Sequence, residues 1–169
     1  VAREMRQRRP AWLVVDPVMI STSGARLLTE DAVQAMVGEL IPLADILTPN
    51  LPEAEALLGR PIRTARDYDR AGEALLALGA DAVLLKGGHA EGGEVIDRFY
   101  DVQGTMELRH PRLRVEGHGT GCTLASAIAA ELAKGRSPRV AVRHAVAYVQ
   151  RALAHGYRPG SGKVLVLRH

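Results

Sequence analysis

Gly117-His118-Gly119-Thr120-Gly121-Cys122 runs directly into Thr123-Leu124-Ala125-Ser126-Ala127-Ile128-Ala129-Ala130. A glycine-rich turn thus feeds a helix-forming segment of mostly small residues. The first turn of a helix presents unpaired N–H groups and the positive end of its dipole. Glycines let a ligand come close to that backbone. The pattern fits an anion site, usually for phosphate. The single cysteine of the chain, Cys122, stands at the junction, where the helix field is expected to favour its thiolate. The segment has a plainer reading too. A lone cysteine is most often a small buried hydrophobe, and a Gly-rich turn before a helix is often only a turn.

The elements that must position this segment decide between the two. Trp12-Leu13-Val14-Val15 is a short apolar run ending at Asp16-Pro17, and reads as a buried strand. Asp45-Ile46-Leu47-Thr48 is a second strand stopped by Pro49, and Asp81 to Lys86 a third. Helices are expected between them: from the Thr29 cap to about Leu40, from Glu53 to Leu58 before Gly59, and from the Thr64 cap to about Leu78 before Gly79. This alternation predicts βαβ units and a largely parallel sheet. Val95 to Val102 and Thr105 to Leu108 then flank Gln103-Gly104 as a hairpin. Two more helices follow, one from Cys122 to about Lys134 and one from Ser137-Pro138, with a terminal strand at Val164 to Leu167. Val1 to Arg9 reads as the end of a helix.

Ligands of parallel α/β sheets sit at the carboxyl ends of the strands. Asp16 follows the first strand, Asn50 and Glu53 the second, and Lys86 the third. Singly, each has an ordinary structural reading as a turn residue, a helix cap or a solvated lysine. Together with the Gly117–Cys122 turn they describe one site for a cation, phosphates and a polarised base.

Bulk properties narrow the options. A chain of 169 residues, 47% hydrophobic and 24% charged, suits one domain with its own core, spanning residues 1–169. A net charge of +3 with only 4% aromatic residues argues against nucleic-acid binding, because stacking platforms are scarce. One cysteine excludes an internal disulfide and a Cys-based zinc cluster, and fits a reducing cytoplasm. No apolar run has the length to span a membrane.

Four motifs carry a resemblance: Asp16-Pro17-Val18-Met19 with Thr22-Ser23-Gly24; Thr48-Pro49-Asn50-Leu51-Pro52-Glu53; Leu85-Lys86-Gly87-Gly88-His89; and His118-Gly119-Thr120-Gly121-Cys122-Thr123. In this order, from Trp12 to about Leu153, the chain resembles the hydroxymethylpyrimidine/phosphomethylpyrimidine kinases of thiamine biosynthesis, within the ribokinase-like superfamily. The resemblance implies a ribokinase-like α/β fold with a mostly parallel sheet flanked by helices. It implies ATP-dependent phosphorylation of 4-amino-5-hydroxymethyl-2-methylpyrimidine, and then of its monophosphate, with ATP and Mg²⁺ as cofactors. Gly119, Thr120 and Gly121 are then the anion hole and Cys122 the base. Lys86 contacts the phosphates, Asn50 and Glu53 organise Mg²⁺ and phosphate, and Asp16 lies near the metal. Gly117 stands where the family often has Thr, and Gly160 to Val166 departs from a family segment near the nucleotide. The family also has further βαβ units before the equivalent of Val1, so the chain is expected to be N-terminally truncated, with apolar edges that favour a homo-oligomer such as a dimer. Related alternatives are pyridoxal kinase or hydroxyethylthiazole kinase activity, or a non-catalytic nucleotide-binding remnant.

Overall fold

The structure, a computed structural model, describes residues 1–19, 26–88, 93–113, 119–158 and 165–168. Five strands form one sheet in the order of the chain: β1 (Val14–Val15), β2 (Ile46–Leu47), β3 (Val83–Leu85), β4 (Glu94–Asp101) and β5 (Gly104–Pro111). β1, β2 and β3 are parallel, with Val15 opposite Leu47 and Leu47 opposite Val83. The expected hairpin then makes the sheet mixed: β4 runs antiparallel to β3 and β5 to β4. Gly104 closes the hairpin turn at φ 97°, a backbone that favours glycine.

The parallel strands are short, of two, two and three residues. Their apolar residues alternate between two cores, as the two-residue period of a strand requires. Val83 and Leu85 face one core with Leu47, Leu51, Ala71, Leu75 and Tyr100. Leu84, Ile46 and Phe99 face the other with Leu124, Ile128, Leu132, Val142 and Val149. The first core is covered by α3 (Leu51–Leu58) and α4 (Ala65–Leu76), the second by α5 (Thr120–Ala133) and α6 (Pro138–Ala154). A sheet buried on both faces explains why its central strands read as unbroken apolar runs.

Helix ends follow their local chemistry. Thr29, Asn50 and Thr64 accept N–H bonds from the first turns of their helices. Gly59 ends α3 in the left-handed conformation at φ 64°. The helix expected from Thr29 to Leu40 is regular only as α2 (Glu30–Ala35). It widens to a π-helical turn over Met36–Leu40 and tightens to a 3₁₀ turn over Ile41–Leu43. Gly38 weakens the regular helix and Pro42 lacks the N–H to continue it. The helix end expected at the start of the chain is α1 (Ala2–Gln7). Of the terminal strand expected over Val164–Leu167, residues 165–167 are described, and among the described residues Val166 makes an antiparallel bridge to Tyr157, just past the end of α6.

Candidate active site

Asp16 leaves β1 where Thr48 leaves β2, and the two are tied together. The Thr48 N–H donates to the Val15 carbonyl at 2.9 Å, and the buried Thr48 hydroxyl donates to Asp16 Oδ1 at 3.1 Å. Two residues on, Asn50 caps α3. Its Oδ1 accepts the Glu53 N–H at 2.9 Å, while Glu53 Oε2 accepts the Asn50 N–H at 2.8 Å. This capping box fixes a Glu53 carboxylate that is almost wholly buried. Burial raises its pKa above the ordinary 4.5, against the lowering effects of the Asn50 N–H and the Lys86 charge.

Lys86 continues β3 past its last paired residue. Its N–H donates to the Pro49 carbonyl at 2.9 Å, and it bridges Asn50 in parallel fashion. Its ammonium thus lands between the two acids, 2.9 Å from Asp16 Oδ1 and 3.9 Å from Glu53 Oε2. The start of α5 closes the group from the other side. A Cβ on Gly121 would lie 3.2 Å from Lys86 Nζ and 3.8 Å from Asp16 Oδ2. Glycine is therefore what lets the ammonium lie against the first helical turn. Gly119 is the N-cap, left-handed at φ 77° and without a side-chain cap. The Thr120, Gly121 and Cys122 N–H groups belong to the turn that has no acceptor within its own helix.

One cation and two carboxylates thus gather at the start of α5, and each of Asp16, Asn50, Glu53, Lys86, Gly119, Thr120, Gly121 and Cys122 falls within or beside this cluster. Gly117 and His118, and likewise residues 22–24, His89 and residues 160–164, lie outside the described residues.

The expected acidification of Cys122 is overturned. Its pKa is raised above the ordinary 9.0, first by partial burial, then by the Asp16 charge and by a hydrogen bond to the Asp16 side chain. Lys86 and the Cys122 N–H lower it, but less. A neighbouring carboxylate that accepts the thiol's hydrogen bond holds the proton on sulfur.

Sequence reasoning missed Thr48, which tethers Asp16, and the buried carboxylate of Asp97, whose Oδ1 accepts the Gly87 N–H at 2.7 Å. A signal for Asp97 was present. It occupies the inward register of β4 between Val95 and Phe99, which are both buried. A charge on the apolar side of a strand is the informative exception to burial rules.

Beside Lys86 and Gly121 lies a cavity of about 270 Å³, lined by the apolar Leu124, Val146, Val149 and Leu153 and by the polar Asn50, Asp97, His110 and Arg112. The model of the phosphomethylpyrimidine kinase family matches residues 1–167. This chain belongs to that family. Among family members, the hydroxymethylpyrimidine/phosphomethylpyrimidine kinase of Rhizobium meliloti (strain 1021) is 50% identical over 145 residues, covering 83% of this chain and 54% of that protein. The one from Bacillus subtilis (strain 168) is 39% identical over 164 residues, covering 96% of this chain and 60% of that protein. The chain therefore spans little more than half the length of these relatives. In three dimensions it is similar to phosphomethylpyrimidine kinase from Clostridium difficile 630, with a TM-score of 0.75 and 40% identity over 89% of this chain and 61% of that one. It is also similar to the pyridoxal kinase from Staphylococcus aureus in complex with ADP, with a TM-score of 0.89 and 33% identity over 99% of this chain and 61% of that one. These likenesses assign the ribokinase-like α/β fold. Among the described residues, no helix of this family member is long and apolar enough to cross a membrane.

Proposed function

We propose that this chain carries the phosphoryl-transfer machinery of a hydroxymethylpyrimidine/phosphomethylpyrimidine kinase, using ATP to phosphorylate 4-amino-5-hydroxymethyl-2-methylpyrimidine and then its monophosphate. The observation that carries the reading is the Lys86 ammonium, held 2.9 Å from Asp16 and against Gly121 at the start of α5. Phosphoryl transfer demands positioning and charge stabilisation more than covalent chemistry. Backbone N–H groups of Thr120, Gly121 and Cys122 and the Lys86 ammonium neutralise the equatorial oxygens of the moving group. The neighbouring cavity, apolar along Leu124, Val146, Val149 and Leu153, seats the nucleotide base with the phosphates directed to Lys86.

Among the described residues no three His, Cys, Asp or Glu side chains converge to hold a metal ion. Two carboxylates do converge, and Mg²⁺ is ordinarily held by one or two carboxylates together with substrate phosphates and water. Asp16 and Glu53 would hold it here, and it would supply Lewis-acid neutralisation of the phosphate charge.

Cys122 is assigned to meet the acceptor hydroxyl. Because its thiol is protonated at neutral pH and hydrogen-bonded to Asp16, it acts as a relay rather than as a preformed thiolate. The hydroxyl oxygen attacks the γ-phosphorus and the bond from that phosphorus to the β–γ bridging oxygen breaks, releasing ADP. The hydroxyl proton passes to Sγ as the thiol proton passes to Asp16.

The test is ATP-dependent turnover of the pyrimidine, its phosphate and pyridoxal. Pyridoxal is included because the Staphylococcus aureus pyridoxal kinase is so similar in fold. The higher identity to the pyrimidine kinases favours the pyrimidine. Wild type is expected to prefer the pyrimidine, and Cys122→Ala to lose about 10²–10⁴-fold, the usual contribution of proton transfer. ADP bound without turnover of any substrate would favour a non-catalytic nucleotide-binding role. Association into a dimer belongs to the same reading, and light scattering of the purified chain checks it.

A further inference from the structure

We propose that Asp97 and His110 form a positioning pair that fixes the backbone behind Lys86 and so places its ammonium in the anion site; this rests on the phosphoryl-transfer reading above. β3 and β4 stay in register up to Leu85 opposite Arg98. Past Leu85 the chain keeps the β2–β3 register, with Lys86 opposite Asn50. Gly87 then lies so close to β4 that a Cβ there would collide with the Ile96 carbonyl oxygen. In this position the Gly87 N–H finds a side chain as acceptor, Asp97 Oδ1 at 2.7 Å.

Asp97 is 5% exposed. A buried carboxylate is costly unless it is paired and hydrogen-bonded, and an apolar residue in its place is often neutral or stabilising. Stability alone therefore does not account for an acid on the core side of β4. Its second oxygen, Oδ2, lies 3.0 Å from His110 Nε2 on β5. Among the described residues His110 Nδ1 is buried without a hydrogen-bond partner. A carboxylate oxygen can only accept, so the Nε2 N–H donates to Asp97. Each Asp97 oxygen is thus used: one holds the Gly87 peptide and the other is held by His110. Arg112, two residues after His110 in sequence, donates from Nη1 to the Gly88 carbonyl at 2.6 Å. Asp97 and Arg112 thus hold the backbone after Lys86 at Gly87 and at Gly88.

Lysine has a flexible stem and strongly hydrated head, so its ammonium is accurately placed only if both ends are held. Asp16 holds the ammonium end. Asp97 holds the other; Asp97 and His110 also line the cavity beside Lys86, so an effect that depends on Lys86 is what marks the positioning role.

The test is a double-mutant cycle between Asp97→Ala and Lys86→Ala, read as affinity for ADP with Mg²⁺, as kcat and as thermal midpoint. On the wild-type background Asp97→Ala is expected to lower kcat by about 10²-fold, the scale of an ångström-sized misplacement, and to weaken ADP. Asp97→Asn, which keeps an oxygen for the Gly87 N–H, is expected to recover most of that loss. On the Lys86→Ala background, Asp97→Ala is expected to change ADP affinity and kcat no further, since coupled residues are non-additive. Should Asp97→Ala fail to fold, His110→Gln enters the same cycle with a smaller expected loss, again absent without Lys86. Equal losses on both backgrounds would show a merely structural role where they follow the thermal midpoint, or direct contact with the nucleotide where they do not, and either result overturns the proposal while the kinase reading stands. A wild-type chain that neither binds ADP nor turns over substrate overturns the kinase reading, and this positioning role falls with it.

Discussion

At the scale of single residues, Cys122 shows how partial burial and a neighbouring carboxylate together reverse an expectation drawn from helix geometry. Thiol alkylation reads this directly, because only the thiolate reacts. A folded-state pKa above the ordinary 9.0 means that the rate of iodoacetamide modification rises with pH through a midpoint higher than that of a free cysteine. Asp16→Asn removes the charge and the carboxylate acceptor that raise it, so the midpoint should fall and modification at neutral pH should speed up. An unchanged or slower rate in that variant would clear Asp16 as the cause. The residues of the site were legible in the sequence because each follows a strand end or opens a helix, where ligands of parallel sheets sit. The thiol's ionisation was not, since it depends on Asp16, more than a hundred positions away, and on a hydrogen bond that no spacing encodes. Thr48 was hidden for a related reason. A threonine closing an apolar run reads as part of a strand, and only the folded chain brings its hydroxyl to Asp16.

At the scale of elements, caps and turns were the best-written features. Thr64 and Asn50 both head capping boxes, yet only Asn50 lies at the site. Thr64→Ala is expected to lower stability by about 1 kcal/mol, the usual cost of losing an N-cap, and to leave turnover and ADP affinity unchanged. Asn50→Ala should lose stability and function together, because its box also fixes Glu53. Urea unfolding beside activity separates the two, and a loss of activity in Thr64→Ala would mean that α4 reaches the site in a way its position does not suggest. The helix after Thr29 was less legible. Its periodic pattern continues past Ala35, whereas the winding changes over Met36–Leu40 through the local effects of Gly38 and Pro42, which periodicity does not register. The terminal segment was legible in part. Leu165 and Leu167 are buried as a strand's would be, while among the described residues the segment pairs with Tyr157, just past the end of α6.

At the scale of the molecule, the hairpin that carries Asp97 and His110 must itself be anchored to the helical layer. Arg139, in the first turn of α6, does this. Its Nε donates to Asp101 Oδ2 at 2.8 Å and its Nη2 to the Gly104 carbonyl at 2.7 Å, joining both strands of the hairpin at their turn. The Arg139 side chain holds the Asp101 carboxyl below its ordinary 3.8, by hydrogen bonding first and, after burial opposes and the Gln103 N–H assists, by charge. A carboxylate more acidic when folded than when unfolded stabilises the fold above its unfolded pKa, and that contribution disappears as pH falls through the folded value. Wild type should therefore exceed Asp101→Asn in stability near neutral pH, and the gap should close on acidification below about pH 4. Denaturant unfolding of both proteins from pH 7 to pH 2.5 measures it. A gap that stays constant with pH would mean that Asp101 acts through shape rather than charge. A gap that closes would make the Arg139 contact an electrostatic tie between α6 and the hairpin, and through the hairpin's far end a support for the backbone that follows Lys86.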